Sequence, residues 1–164
     1  MTKQVGMEVC RGAVQPEWID FNQHMNVAYY VLAFDHGIDA LWDTFGITQE
    51  YVASEQGSTF AVECHVTYQR ELHEGDPYII TTQVLGYDTK RIHQFQRLYQ
   101  ARDGFLSATC EWMNLHVDLD SRRVSPWPAE ILARIEAYAR AQPAQPRPDE
   151  AGRIMKIRNP IYAL

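Results

Sequence analysis

The chain has 164 residues, of which 46% are hydrophobic and 22% charged, and a formal net charge of −6. That length suits one domain with a core of its own, and that charge argues against nucleic-acid binding, which needs a basic surface. Cys10, Cys64 and Cys110 are far apart and odd in number, so neither a disulfide framework nor a metal-ligand spacing is present. No apolar run approaches the length of a membrane span, and Met1-Thr2-Lys3-Gln4 leads straight into fold-like sequence. The expectation is a cytoplasmic protein with no membrane partner.

Val5–Val14, ahead of Pro16, reads as a strand. From Val27 the apolar residues fall at Val27, Tyr30, Val31, Phe34, Ile38, Leu41, Trp42 and Phe45. Steps of three and four predict a long helix burying one broad stripe, with Asn26 as its N-cap and Gly46 as its stop. Asp35, Asp39 and Asp43 recur every four residues, and a like-charged row so placed faces water or a cationic partner. After Gly57 the period changes to two. Phe60, Val62, Cys64, Val66 and Tyr68 alternate with Ala61, Glu63, His65, Thr67 and Gln69, the pattern of a strand with one apolar and one polar face.

His73–Pro77 is a turn, Tyr78–Gly86 a strand, and Asp88-Thr89-Lys90 a second turn into a strand over Arg91–Arg102. Asp103-Gly104 is a hairpin signal before a strand over Phe105–Asp118. Helical spacing returns from Pro128 to Ala141, with Ile131, Leu132, Ile135 and Tyr138 on one side. Residues 1–142 thus make one domain including a C-terminal helix, and Pro143, Pro146 and Pro148 open a tail over 143–164. That tail packs on the domain or a partner subunit, and Arg153–Ile157 is its candidate for a short edge strand. A long helix followed by antiparallel strands predicts an α+β fold, the helix wrapped by one curved sheet of five or six strands. The sheet's other face and its edges need cover, which predicts a homodimer or a dimer of dimers.

The segment Asp20-Phe21-Asn22-Gln23-His24-Met25-Asn26 places a carboxylate, two amides and an imidazole just before the long helix. A helix N-terminus offers free N–H groups and partial positive charge, which suits an oxyanion, while a carboxylate beside it serves as base or nucleophile. Read singly, Asp20, Asn22 and Asn26 are ordinary turn and cap residues. Their clustering with His24 is what points to chemistry. No phosphate-binding glycine loop, dinucleotide turn or serine nucleophile elbow is present.

Asp20, Gln23, His24, Met25, Asn26, Tyr30 and Phe34 together resemble the helix-opening motif of the hotdog-fold thioesterases, the 4-hydroxybenzoyl-CoA thioesterase-like superfamily, over about Val5 to Pro128. Gln23 stands where that family usually has Gly. The variant Asp20-x-Asn22-Gln23-His24 is similar to plant acyl-ACP thioesterases, where Asp, Asn and His belong to the catalytic network. A further carboxylate of those enzymes is replaced here by Thr67, before Tyr68, and Glu63 on the same strand face is its candidate substitute. Glu63-x-His65-Val66, Gly75-Asp76, Thr82–Gly86, Asp88-x-Lys90-Arg91-Ile92-His93-x-Phe95 and Leu115–Asp118 are similar to the thioesterases of bacterial carnitine catabolism, which act on betainyl-CoA and in some cases are fused to L-carnitine dehydrogenase.

The resemblance implies a hotdog fold and hydrolysis of an acyl-CoA thioester, with CoA as part of the substrate and no other cofactor or metal. Asp20, Asn22, His24, Asn26 and Glu63 are the implied catalytic residues. Val27, Tyr30, Trp42, Phe60 and Trp112 are the acyl-pocket candidates, and Lys90 and Arg91 the CoA-phosphate candidates. Tyr29 and the acidic helix face are further candidates for a trimethylammonium cage. Betainyl is the leading acyl group, with short, medium or aromatic acyl-CoA as the alternative. A noncatalytic acyl-binding hotdog protein is the rival of another class.

Overall fold

The computed structural model describes residues 4–54 and 57–158. Its strands are β1 (Met7–Ala13), β2 (Gly57–Tyr68), β3 (Pro77–Tyr87), β4 (Arg91–Gln100), β5 (Leu106–Asp118) and the two-residue β6 (Arg123–Val124). Its helices are α1 (Val27–Phe45), α2 (Gln49–Ser54) and α3 (Ala129–Ala141). The strands form one antiparallel sheet in the order β1-β3-β4-β5-β2, with β6 added to β5. The expected helix therefore lies at Val27–Phe45, capped at Asn26 and stopped by Gly46 in the left-handed region. The short α2 and β6 were not foreseen.

One face of α1 (Tyr30, Ala33, Phe34, Ile38, Leu41, Trp42 and Phe45) is buried against the sheet. Gly37 sits at the closest approach: a Cβ there would lie 2.8 Å from Gln96 Nε2 and 2.9 Å from Ile80 Cγ2. α3 closes the C-terminal end of α1, where Phe45 and Tyr138 meet edge to face at 5.4 Å.

β2 departs from its expected amphipathic face. The register with β5 slips between Ala61 and Glu63, and such a bulge reverses the side-chain alternation. Phe60, Val62 and Tyr68 are left exposed along this sheet edge. The opposite face of the central strands is covered by residues 142–152. Gln83 Nε2 donates to Pro146 O at 3.3 Å, the Gly152 N–H donates to Glu111 Oε2 at 2.7 Å, and Gln69 Nε2 donates to Glu150 Oε1 at 3.1 Å. Arg97 is buried there, its guanidinium 4.9 Å from the Phe95 ring centre, and burial lowers its pKa. Arg153–Ile157 forms no strand, which corrects the expected edge strand. The tail residues beyond Arg158 lie outside the described residues.

Candidate active site

The segment before α1 is a tight loop closed by its own backbone. Ile19 bridges Met25, the Asp20 N–H donates to His24 O at 3.0 Å, and the Gln23 N–H donates to Asp20 O at 3.0 Å. Asp20 Oδ1 accepts the Asn22 N–H at 2.7 Å, an Asx turn. The loop is anchored to the domain where the Met25 N–H reaches Leu72 O and the Asn26 N–H reaches Trp18 O. The Asp20 and His24 side chains are only 14% and 32% exposed, and His24 Nδ1 stands 3.9 Å from Asp20 Oδ1. The structure thus brings Asp20 and His24 together at the start of the helix.

Gln23 has φ +66°, which explains the glycine of the similar motif: a side chain in the left-handed region costs about 1–2 kcal/mol that glycine avoids. Gln23→Gly is therefore expected to raise stability by about 1 kcal/mol, after allowing for glycine's greater unfolded-state entropy. Chemical denaturation with an unchanged m-value checks it, and a loss of stability would contradict the strain.

Asn26 is the N-cap that its position predicts: its side-chain Oδ1 accepts the Ala28 N–H at 3.0 Å. The Tyr29 N–H donates to Asn26 O. That leaves the Val27 N–H, which has no hydrogen-bond partner among the described residues, as the free donor at the tip of α1. Asn22 is an exposed turn residue.

Beside Val27 lies a cavity of about 220 Å³ lined by His24, Tyr30, Tyr68, Arg70 and Glu71 among others. Tyr68 OH donates to Val27 O at 3.3 Å, and its ring meets that of Tyr30 edge to face at 5.3 Å. The Tyr30 hydroxyl accepts the Leu72 N–H at 3.1 Å, and burial raises its pKa. Tyr68 was missed from sequence because its contact with Val27 joins residues 41 apart. The free N–H of Val27 was legible in principle, since a cap at Asn26 occupies Ala28 and leaves its predecessor.

The other candidates lie elsewhere in the same chain. Glu63 is on the sheet face opposite α1, in a cavity of about 520 Å³ with His93, Glu111 and Arg153. Five residues of strand, about 17 Å, separate it from Tyr68. Phe60 lies under the Arg122 guanidinium at 5.1 Å. Trp112 is buried, its indole N–H donating to Gln96 Oε1 at 2.9 Å. Trp42 lines a third cavity, far along α1. Arg91 pairs with Asp88 at 2.7 Å in the β3–β4 turn, and Lys90 is exposed beside it. That turn is the full length of β3 away from Asp76, which bonds Val14 at the Asp20 end. One protomer therefore does not bring Glu63, Phe60, Lys90 or Arg91 to Asp20.

Among the described residues no group of three or more His, Cys, Asp and Glu is placed to hold a metal ion, and no helix is long and apolar enough to cross a membrane. Burial pushes the Cys110 thiol pKa up, which makes it an inert core residue.

The model of the thioesterase-like superfamily matches residues 14–135. The chain is 40% identical to the betainyl-CoA thioesterase of Pseudomonas aeruginosa, over 88% of this chain and 91% of that protein. It is 36% identical to the L-carnitine dehydrogenase/betainyl-CoA thioesterase of Rhizobium meliloti, over 85% of this chain but 28% of that longer protein. Its fold overlays a Staphylococcus aureus protein solved in complex with CoA at a TM-score of 0.88 and 28% identity, over 96% of this chain and 99% of that one.

Proposed function

The chain belongs to the thioesterase-like superfamily, and we propose that it hydrolyses betainyl-CoA, or another CoA thioester with a comparably small acyl group, as a homodimer. The observation that carries the reading is the Val27 N–H, without a partner among the described residues, at the helix tip beside a cavity that His24 lines, with the sheltered Asp20 carboxylate 3.9 Å from His24. The thioester oxygen accepts the Val27 N–H, where the helix dipole favours developing negative charge. Asp20 takes a proton from water as the water oxygen attacks the carbonyl carbon. The C–S bond then breaks, its electron pair stays on sulfur, and CoA leaves as the thiol after gaining that proton. Asp20 as nucleophile is the second route: its oxygen attacks, the thiolate departs, and water hydrolyses the mixed anhydride. His24 positions the Asp20 carboxylate in either route. The 40% identity to a betainyl-CoA thioesterase supports the acyl group.

Thiol release from a panel of betainyl-, butyryl- and benzoyl-CoA tests the reading. Betainyl-CoA is expected to give the largest kcat/KM, and equal values across the panel would remove the small cationic acyl group from the proposal. A noncatalytic acyl-binding protein would release no thiol from any of them.

A further inference from the structure

The cavity of about 470 Å³ along α1 is a second built site. It lies between the acidic row and the early part of β2, lined by Asp35, Asp39, Trp42, Asp43, Thr59 and Asn114 among others. The three carboxylates make no ion pair or hydrogen bond among the described residues. Burial, then the charges of Asp35 and Asp43, raise the Asp39 pKa, with His36 opposing. Asn114 is 3% exposed. Its Oδ1 accepts from Gln94 Nε2 at 3.2 Å, and its amide nitrogen has no partner among the described residues. An anionic wall and an indole side chain thus line one space.

We propose that this cavity holds the quaternary-ammonium head of the acyl group, against Asp39, Asp35 and Trp42, while the carbonyl of the same substrate sits at the α1 N-terminus of a second copy of the chain. The proposal rests on the acyl-CoA hydrolysis argued above and adds the specificity-determining residues. Carboxylates and aromatic faces are the groups that recognise such a cation. Among the residues lining the cavity beside Val27, Arg70 offsets Glu71, and the Asp20 carboxylate nearby is committed to the chemistry. Twelve residues of helix, about 18 Å, separate Val27 from Asp39, whereas only two single bonds of about 1.5 Å each separate a betainyl carbonyl carbon from its nitrogen. One subunit therefore does not hold both ends. Two copies do: Ala28, Leu32, Asp35 and Asp39 lie on the exposed face of α1, and Leu32 is an exposed apolar residue in that row. Pairing two α1 helices antiparallel about the point midway between Leu32 and Asp35 sets Ala28 beside Asp39 of the partner subunit, because those two positions are equally far from the midpoint.

The test compares betainyl-CoA with 3,3-dimethylbutyryl-CoA, which has the same shape with carbon in place of the charged nitrogen. Wild type is expected to prefer the cation, and Asp39→Asn to lower the ratio of the two kcat/KM values at least tenfold, chiefly through KM for betainyl-CoA. An unchanged ratio, or a wild type that turns over both equally, overturns the assignment while leaving thioester hydrolysis standing. A wild type inactive on every acyl-CoA overturns the parent reading instead. Mixing Asp20→Asn with Asp39→Asn subunits then tests the shared site: half the dimers become heterodimers with one intact site of two, so kcat/KM for betainyl-CoA, read at low substrate, climbs toward about a quarter of wild type. No recovery, with subunit exchange verified by differential tags, overturns the two-subunit arrangement.

Discussion

Asp20→Asn is expected to lower kcat about 10²–10⁴-fold, the range that a positioned general base supplies, with KM little changed. The substitution is well controlled by the local structure. Asn keeps an Oδ1 to accept the Asn22 N–H, as Asp20 does at 2.7 Å, so the Asx turn and the loop fold survive. What is lost is the negative charge, with an amide nitrogen in place of the second carboxylate oxygen. Thiol release under saturating substrate, with melting temperature as the folding control, reads the effect. A loss below tenfold in a folded variant removes Asp20 from the chemistry. Single turnover of wild type in ¹⁸O-labelled water tests the anhydride route: label in the Asp20 carboxyl group, from water attacking Asp20 Cγ of the anhydride, establishes it, because the general-base route places label in the released acid alone.

Val27→Pro is the second large effect. It deletes the one N–H group that the proposed mechanism uses, at the helix position where proline is best tolerated. Asn26, at φ −66° and ψ 144°, already has the extended conformation that a following proline requires. No hydrogen bond to the described residues is lost, because that N–H makes none among them, and Val27 is 56% exposed. Removing one oxyanion donor typically costs about 3 kcal/mol, or 10²–10³ in kcat. The expected outcome is a loss of that size with a melting temperature within about 2 °C of wild type. Val27→Ala, which keeps the N–H and trims the cavity wall, is expected to lose less than tenfold. Equal losses in the two variants would assign the effect to the side chain and leave the helix tip without a role.

Both predictions concern a site whose parts were legible to different degrees. α1 and its two caps follow from local rules: apolar residues at steps of three and four, a side-chain acceptor at Asn26, and a glycine at position 46. β3, β4 and β5 follow from runs of strand formers bounded by turn residues. The alternation of β2 misled, because the bulge between Ala61 and Glu63 is a property of its pairing with β5, not of its own residues. The strap over 142–152 has no period to read, since scattered contacts hold it to the sheet: Gln142 both donates to and accepts from the Val84 backbone, Pro146 O accepts from Gln83, and Glu150 accepts from Gln69.

Local order determined that a carboxylate and an imidazole stand at the head of a long helix, because caps and turns act within a few residues. Sequence motifs alone also determined the family. Tertiary structure decided which groups share a space: Tyr68 against Val27, the acidic row against Asn114 and Trp42, and Glu63 on the face away from Asp20. The reason is geometric. Residues tens of positions apart meet only through sheet register and the approach of α1 at Gly37, and neither is encoded in any short stretch of chain.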